Sequence, residues 1–313
     1  MRRIGIYSAI IIFAVLLLSV ALRGSRKSNT DENVCHSESD TTINSQQVES
    51  TQDLPMGWTQ LHMLEEDLAQ GTLILVNRDY FYDSSIPQTV SVYEHKTDHY
   101  FVRDTLLGIQ EQAMDSLNEW MRDFATETGK KDINIVSGWR SYDEQSRLYQ
   151  NAVDTKGQDY ADAYLSLPGH SEHHTGLAVD LDTFNLNDGT SGGFDGEGAY
   201  MWAVEHAWEY GFVQRYPQQK SEITGIAYES WHYRYVGLPH AYIMNSENLC
   251  LEEYIDYLKK YPYSSEHLYE SCNGANYEIY YCPKDCVIVP TDNEYLISGN
   301  NVDGFIITIL RAV

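Results

Sequence analysis

Residues 171–181 read SEHHTGLAVDL, and this stretch decides both the fold and the chemistry that we predict. Residues 177–181 are apolar except for one carboxylate, a pattern typical of a central strand in a sheet. A buried carboxylate without a partner is very costly, so Asp180 must meet a metal ion, an arginine or a set of backbone donors. A buried aspartate that caps a turn is the alternative.

A histidine of the same stretch and one downstream cluster complete a set of metal ligands. His173 lies seven residues before Asp180, and Glu229-Ser230-Trp231-His232 follows downstream. Two imidazoles and one carboxylate can bind zinc and leave a fourth position open for water. Glu229 can then take the proton of that water. The sequence therefore predicts a metallohydrolase that uses zinc.

His173 and His174 are adjacent, and the choice between them as a metal ligand depends on where each side chain would point. His173 leads through Gly176 into the predicted strand, and glycine permits a close approach of the backbone to a site. In an extended segment His174 would point to the opposite side, so we interpret it as a surface or supporting residue. His170 could line the entrance for a substrate.

Arg140 follows a second predicted strand. Residues 133–136 read INIV and are closed by Ser137-Gly138, so Arg140 emerges at a strand end. Arginine is always charged and its forked donors suit a carboxylate or a developing oxyanion. A surface ion pair with Asp143 or Glu144 is the alternative.

Residues 231–236 alternate in the manner of a strand. His232 and Arg234 would share one face, because side chains of a strand alternate. Three aromatic residues would share the other face and point towards a core: Trp231, Tyr233 and Tyr235.

The motif Ser171-x-His173-x-x-Gly176-x-Ala178-x-Asp180, followed by Glu229-x-x-His232, resembles that of the VanY-type D-alanyl-D-alanine carboxypeptidases. These enzymes belong to a wider group with the lysostaphin-like peptidases and the hedgehog signalling domain. The segments 137–145, 208–217 and 231–237 agree closely with the same family. The resemblance covers residues from about 60 to 262. The C-terminal tail is similar to that of some vancomycin-resistance carboxypeptidases.

The resemblance implies a role for each residue of the site. Zinc would be bound by His173, Asp180 and His232, with Glu229 as the general base. Arg140 would polarise the scissile carbonyl. The carboxylate at the end of the substrate would be received by Ser171, in a pocket that Gln145 also lines.

The implied reaction is hydrolysis of the last D-Ala from peptidoglycan precursors or stem peptides, which would deprive glycopeptide antibiotics of their target. A D,D-dipeptidase or cross-bridge endopeptidase on the same scaffold is an alternative. A zinc-stabilised binding module without catalysis is a third possibility, although a structural zinc site would need neither Glu229 nor Arg140.

The order of predicted helices and strands along the chain indicates an α+β fold. We expect a small antiparallel sheet with flanking helices, and a zinc cleft on that sheet. We assign residues 56–262 to the catalytic domain and 263–313 to a small β-rich module. Helices are predicted over 105–128, 142–152, 249–258, and from 201 to a stop near Gly211. Strands are predicted over 73–76, 133–136, 177–181, 231–236, 277–281, 287–289 and 305–309.

The N-terminus predicts a membrane anchor. Residues 4–22 form a run of 19 residues without charge, and residues 1–27 are assigned to a transmembrane segment. A cleaved signal peptide is the alternative. Residues 28–55 are polar and predict a flexible stalk. The charges that flank the uncharged run do not decide the orientation of the segment in the membrane. The implied substrate is assembled outside the cytoplasmic membrane, so we expect the catalytic domain to be extracytoplasmic. The cytoplasmic membrane is then a predicted partner.

Charge and cysteine content narrow the function classes. A formal net charge of -25 argues against nucleic acid as a partner, because phosphate binding needs a basic surface.

Five cysteines are present, and Cys272, Cys282 and Cys286 lie close together in the sequence. A disulfide among them fits an extracytoplasmic location, but the pairing stays open. Cys35 lacks the preceding apolar motif of a lipoprotein.

Overall fold

The computed structural model describes residues 54–82 and 86–311, and nearly all the predicted elements appear in it. The strands are β1 Trp58–Leu61, β2 Thr89–Ser91, β3 Phe101–Val102, β4 Gly108–Gln110, β5 Ile133–Ser137, β6 Ala178–Asn185, β7 Thr190–Ser191, β8 Phe212–Gln214, β9 His232–Tyr235, β10 Leu268–Cys272, β11 Ala275–Pro283, β12 Val287–Pro290, β13 Tyr295–Gly299 and β14 Gly304–Arg311. The α-helices are α1 Val92–His95, α2 Glu111–Thr128, α3 Tyr142–Lys156, α4 Gln158–Tyr164, α5 Met201–His206, α6 Ser221–Thr224, α7 His240–Ser246 and α8 Leu251–Leu258.

The central sheet has the strand order β3-β5-β6-β9-β8, and β7 pairs with β6 beside it. Most of its pairs are antiparallel, as predicted, but β3 runs parallel to β5. The predicted antiparallel sheet is therefore confirmed except for this one parallel pair. The chain crosses from β3 to β5 through α2, and a crossover helix returns the chain in the same direction.

One face of this sheet is covered by α2. Trp120 of the helix is fully buried and contacts the rings of Phe212 and Tyr233 at 5.3 and 4.9 Å between centroids. Val179 and Leu181 lie in the same core. Because side chains alternate along a strand, Asp180 and His232 are on the opposite face, where the site forms. The predicted assignment of faces in β9 is confirmed for Tyr233, which is fully buried.

The predicted strand at 73–76 is wrong. These residues are buried, but they pair with no neighbouring strand in the described part of the chain. Leu75 donates its N–H to the carbonyl oxygen of Asn300, and the Arg234 guanidinium donates to the carbonyl oxygens of Thr72 and Ile74. A buried arginine and a loop thus satisfy backbone groups that a β-ladder would otherwise pair.

Two predicted helices have different bounds. The helix predicted from 105 begins at Glu111, because Gly108–Gln110 pair with β2 instead. The helix predicted from 201 stops at Gly211 as predicted, but only Met201–His206 is α-helical and the rest is a 3₁₀ turn to Tyr210. Gly211 then adopts φ 80°, and Phe212 starts β8. A tight turn with positive φ stops a helical pattern that apolar spacing alone would extend.

The C-terminal strands form a second sheet of order β10-β11-β14-β13, while β12 pairs with β1 near the start of the described chain. Ile279 and Ile306 of this sheet share a core with Leu251 and Ile255 of α8. Four of the five cysteines lie in the described residues and are free thiols: Cys250, Cys272, Cys282 and Cys286. Cys35 lies outside the described residues.

The predicted anchor at 1–27 and almost all of the predicted stalk at 28–55 also lie outside the described residues. Within 54–82 and 86–311, no helix is long and apolar enough to span a membrane.

Candidate active site

The candidate metal ligands are brought together by strand register. Asp180 of β6 and His232 of β9 are direct cross-strand partners. His173 lies in a single 3₁₀ turn, Glu172–Thr175, which Gly176 ends with φ 69°. One ligand atom from each of these three residues lies within 4.8 Å of the others, and the cluster is mostly buried. The structure therefore assembles the three residues that the sequence predicts as ligands.

The imidazole of His173 has a defined orientation. Its Nδ1 lies 2.7 Å from the carbonyl oxygen of Gly138, which can only accept a hydrogen bond, so Nδ1 carries the proton. Its Nε2 lies 3.2 Å from Oδ2 of Asp180. The unprotonated nitrogen thus faces the cluster, as a metal ligand must.

Electrostatics in this cluster favour a cation. Burial opposes ionisation of Asp180, but His173 and His232 hold the pKa of its carboxyl well below the usual range. Burial lowers the pKa of His173 to about 4, and the Arg140 charge adds to that effect. For His232 the hydrogen bonds to Asp180 and Glu172 outweigh burial and raise the pKa to about 9. A metal ion would replace the His232 proton.

The donor set fits zinc. The Asp180 carboxylate faces both imidazoles: its Oδ2 lies 3.2 Å from His173 Nε2, and its Oδ1 lies 2.9 Å from His232 Nδ1. Two imidazoles and one carboxylate are the ligand types of catalytic zinc sites with an open position.

Glu229 lies just before β9 and is buried beside the cluster. Its Oε2 is 4.0 Å from His232 Nδ1, and its backbone N–H donates to the carbonyl oxygen of Tyr216. Burial raises the pKa of Glu229 to about 8; the His232 charge lowers it and the Asp180 charge raises it. A carboxylate with such a raised pKa can accept and return a proton near neutral pH.

Arg140 is held at the wall of the same cleft. Its guanidinium donates to Oε1 of Gln145 at 2.8 Å and to Oγ of Ser137 at 2.7 Å, and lies 3.8 Å from Oδ2 of Asp180. Gln145 in turn donates to the carbonyl oxygen of Ser166. The alternative of a surface ion pair with Asp143 or Glu144 is wrong, because these contacts turn Arg140 inwards.

A cleft of about 270 Å³ is lined by all seven predicted site residues: Arg140, Gln145, Ser171, His173, Asp180, Glu229 and His232. Ser171 is only 3% exposed, so it lies in the inner wall of the cleft. Tyr160 and Tyr164, stacked with centroids 4.8 Å apart, line the outer part. The cleft thus brings Arg140 and the candidate metal ligands to one surface.

His174 supports Arg140 and lies away from the metal ligands. Its Nε2 accepts from the Gly169 N–H at 3.0 Å, so Nδ1 carries the proton and donates to the Arg140 carbonyl oxygen at 2.8 Å. The interpretation of His174 as a supporting residue therefore agrees with its contacts. His170 lines a neighbouring small pocket and contacts the Asn77 carbonyl oxygen.

A buried ionic cluster that was not predicted from the sequence lies behind the site. Glu172 is 1% exposed and contacts Arg215 and Arg234, both also fully buried. Burial opposes its ionisation, but the two arginines hold the pKa of the Glu172 carboxyl well below its usual range. Tyr216 was missed too; its ring lies 4.9 Å from that of His232. Glu172 lies inside the quoted motif, and Arg234 shares the predicted face of His232, so both signals were present.

Comparison with known proteins identifies the family. The family model described as VanY, D-alanyl-D-alanine carboxypeptidase, matches residues 107–238, which contain all seven site residues. A D-alanyl-D-alanine carboxypeptidase from Enterococcus faecium is 39% identical over 255 residues, covering 78% of this chain and 77% of that protein. The bifunctional D-Ala-D-Ala dipeptidase and carboxypeptidase VanXYC from Enterococcus gallinarum is 40% identical over 142 residues, covering 45% of this chain and 75% of that protein.

A solved structure supports the same assignment. The vancomycin resistance D,D-dipeptidase VanXYg, solved with a D-Ala-D-Ala phosphinate analog, superposes with a TM-score of 0.72 at 34% identity. The match covers 81% of this chain and 99% of that one. The mixed fold and the sequence motifs thus agree with each other, and the chain belongs to the VanY family of D-alanyl-D-alanine carboxypeptidases.

Proposed function

We propose that this protein is a zinc-dependent D,D-carboxypeptidase that removes the C-terminal D-Ala from peptidoglycan stem peptides or precursors, and thereby contributes to resistance against glycopeptide antibiotics. One observation carries the proposal. A single cleft is lined by a His-Asp-His cluster that can hold a metal, by a buried glutamate with a raised pKa, by Arg140, and by Ser171, whose hydroxyl can donate to a carboxylate.

Each residue of the site has a separate role in amide hydrolysis. Zinc would be held by His173, Asp180 and His232, and when bound it would supply a Lewis acid for the carbonyl and for the attacking water. Glu229 accepts the proton of the attacking water at Oε2 and returns it to the nitrogen of the leaving D-Ala. The guanidinium of Arg140 faces the carbonyl oxygen as negative charge develops on it. Ser171 donates to the terminal carboxylate of the substrate.

A D,D-dipeptidase is the second candidate. VanXYg is a D,D-dipeptidase, and its match to this chain covers 99% of its own length. The two activities differ in how much room the cleft leaves beyond the scissile bond. Here Leu148 and Tyr164 line the cleft and remain 39% and 38% exposed. An open rim of this kind accommodates a longer peptide and favours the carboxypeptidase.

The substrate is expected to need a free C-terminal carboxylate. A pentapeptide ending in D-Ala-D-Ala should release free D-Ala and a tetrapeptide, and amidation of its C-terminus should lower turnover more than about tenfold, the equivalent of 1.4 kcal/mol. The reason is that the buried Ser171 hydroxyl loses its charge-assisted hydrogen bond to the carboxylate, and the positive charge of Arg140 in the same cleft loses a nearby anion. Product analysis by mass spectrometry measures both outcomes.

Three results of that experiment contradict the proposal. Release of intact D-Ala-D-Ala would assign the dipeptidase activity, and equal cleavage of the amidated peptide would favour an endopeptidase. Zinc binding without any hydrolysis would leave only a binding module.

We also propose that residues 1–27 anchor the protein in the cytoplasmic membrane with residues 28–313 outside, supported by the uncharged run at 4–22. A chain that starts at Asp53 is expected to be soluble without detergent and as active as the full chain, because every described residue of the site lies beyond that point. Protease added to intact spheroplasts should degrade the catalytic domain. Complete protection there, with degradation after lysis, would reverse the proposed orientation.

A further inference from the structure

The two ring nitrogens of His232 face different carboxylates. Nδ1 lies 2.9 Å from Oδ1 of Asp180 and 4.0 Å from Oε2 of Glu229, so it points into the candidate metal cluster. Nε2 points away from the cluster and lies 3.4 Å from Oε2 of Glu172. The ring is therefore placed between the cluster and a second, deeper carboxylate.

The two oxygens of Glu172 have separate partners. Oε1 accepts from Nε of Arg215 at 2.7 Å and from Nη1 of Arg234 at 2.8 Å. Oε2 is left for His232. Two guanidinium groups thus fix the rotation of the carboxylate so that its second oxygen faces the imidazole.

The positive and negative charges around Glu172 balance each other. Arg215 also makes a bidentate pair with Glu252, with distances of 2.9 and 2.7 Å. Arg215 and Arg234 together carry two positive charges, and Glu172 and Glu252 carry two negative charges. Balanced pairing lets a carboxylate remain ionised in a buried position, where an isolated charge would be very costly.

We infer that Glu172 is a positioning residue for zinc: it accepts the Nε2–H of His232, and so selects the tautomer that presents Nδ1 to the metal. His173 is oriented in the opposite sense, because it donates Nδ1–H to the Gly138 carbonyl oxygen and presents Nε2. Outer partners of this kind orient metal-binding histidines and raise their basicity. The inference rests on the zinc site of the proposed function and does not depend on which bond is cleaved.

The first test uses the unmodified full chain. Loaded with cadmium-113 and labelled with nitrogen-15 at histidine, it should show metal coupling to Nδ1 of one ring, assigned to His232, with the proton on Nε2. His173 should show the reverse. Metal coupling to Nε2 of His232 would overturn the inference, whereas absence of any metal binding would contradict the zinc site of the proposed function instead.

The second test compares Glu172→Gln with Glu252→Gln. In Glu172→Gln the amide oxygen must face the two arginines, so its NH₂ group meets the Nε2–H of His232, donor against donor. Zinc affinity, measured by chelator competition, should fall about 10- to 100-fold, the usual effect of losing such a partner. Glu252→Gln removes the other partner of Arg215 without contacting His232 and should bind zinc nearly as the wild type does.

The thermal midpoint of the metal-free protein separates positioning from a purely structural role. Both variants disturb the same arginine, so both midpoints should fall, but only Glu172→Gln should lose zinc affinity. Equal zinc affinity in the two variants would show that Glu172 only stabilises the fold. If Glu172→Gln fails to fold, the assignment of the His232 nitrogens in the wild type still decides the question.

Discussion

Replacing Glu229 with Gln is expected to lower kcat by about two to four orders of magnitude, the usual contribution of a general base, and to leave zinc bound. The amide keeps the size of the side chain but cannot take a proton from water. Glu229 lies 4.0 Å from His232 Nδ1 and stands outside the cluster of His173, Asp180 and His232. Zinc content by atomic spectroscopy and kcat on a D-Ala-D-Ala-terminated pentapeptide measure the two effects.

The pH profile adds a second readout for Glu229. Burial raises its pKa to about 8 in the metal-free protein, and a cation held beside it would lower that value. A general base acts only when it is deprotonated, so activity should rise with pH through the pKa of Glu229. The rising limb should be missing in Glu229→Gln. Loss of zinc together with activity would instead make Glu229 a ligand.

Replacing Asp180 with Ala is expected to abolish stoichiometric zinc, because it removes the only carboxylate of the cluster and leaves two imidazoles. Activity should be lost with the metal. Chelator competition and zinc analysis of the purified protein measure the loss, and circular dichroism shows whether the fold survives.

Asp182→Ala is the matched control for Asp180. Asp182 lies two residues further along β6, and not past the end of the strand as the sequence pattern indicates, since the strand continues to Asn185. Its Oδ1 accepts from the N–H groups of Thr183 and Gly193, so it stabilises a turn. Asp182→Ala should keep full zinc occupancy. Retention of zinc by Asp180→Ala, or its loss from Asp182→Ala, would exchange the two assignments.

Much of the site could be predicted because its chemistry is local in the sequence. Asp180 between apolar neighbours and His232 on the polar face of an alternating strand indicated both their side-chain directions and their role. The strands at 133–136 and 177–181 were predicted from short apolar runs next to turn-forming residues, a pattern typical of buried strands. Where local periodicity competed with a long-range contact, as at residues 73–76 and 105–110, the prediction was wrong.

The sequence by itself determined the family, the candidate ligands and the faces of the central strands, because these depend on residue type and spacing. Only the tertiary structure decided which side chains support them. Glu172 meets Arg215 and Arg234 across 43 and 62 residues of chain. Buried charges are tolerated only where opposite charges meet in space, and that meeting depends on the register between β6, β9 and β8 and on the loops that follow them. The same register places Asp180 opposite His232, and so turns two separated motifs into one site.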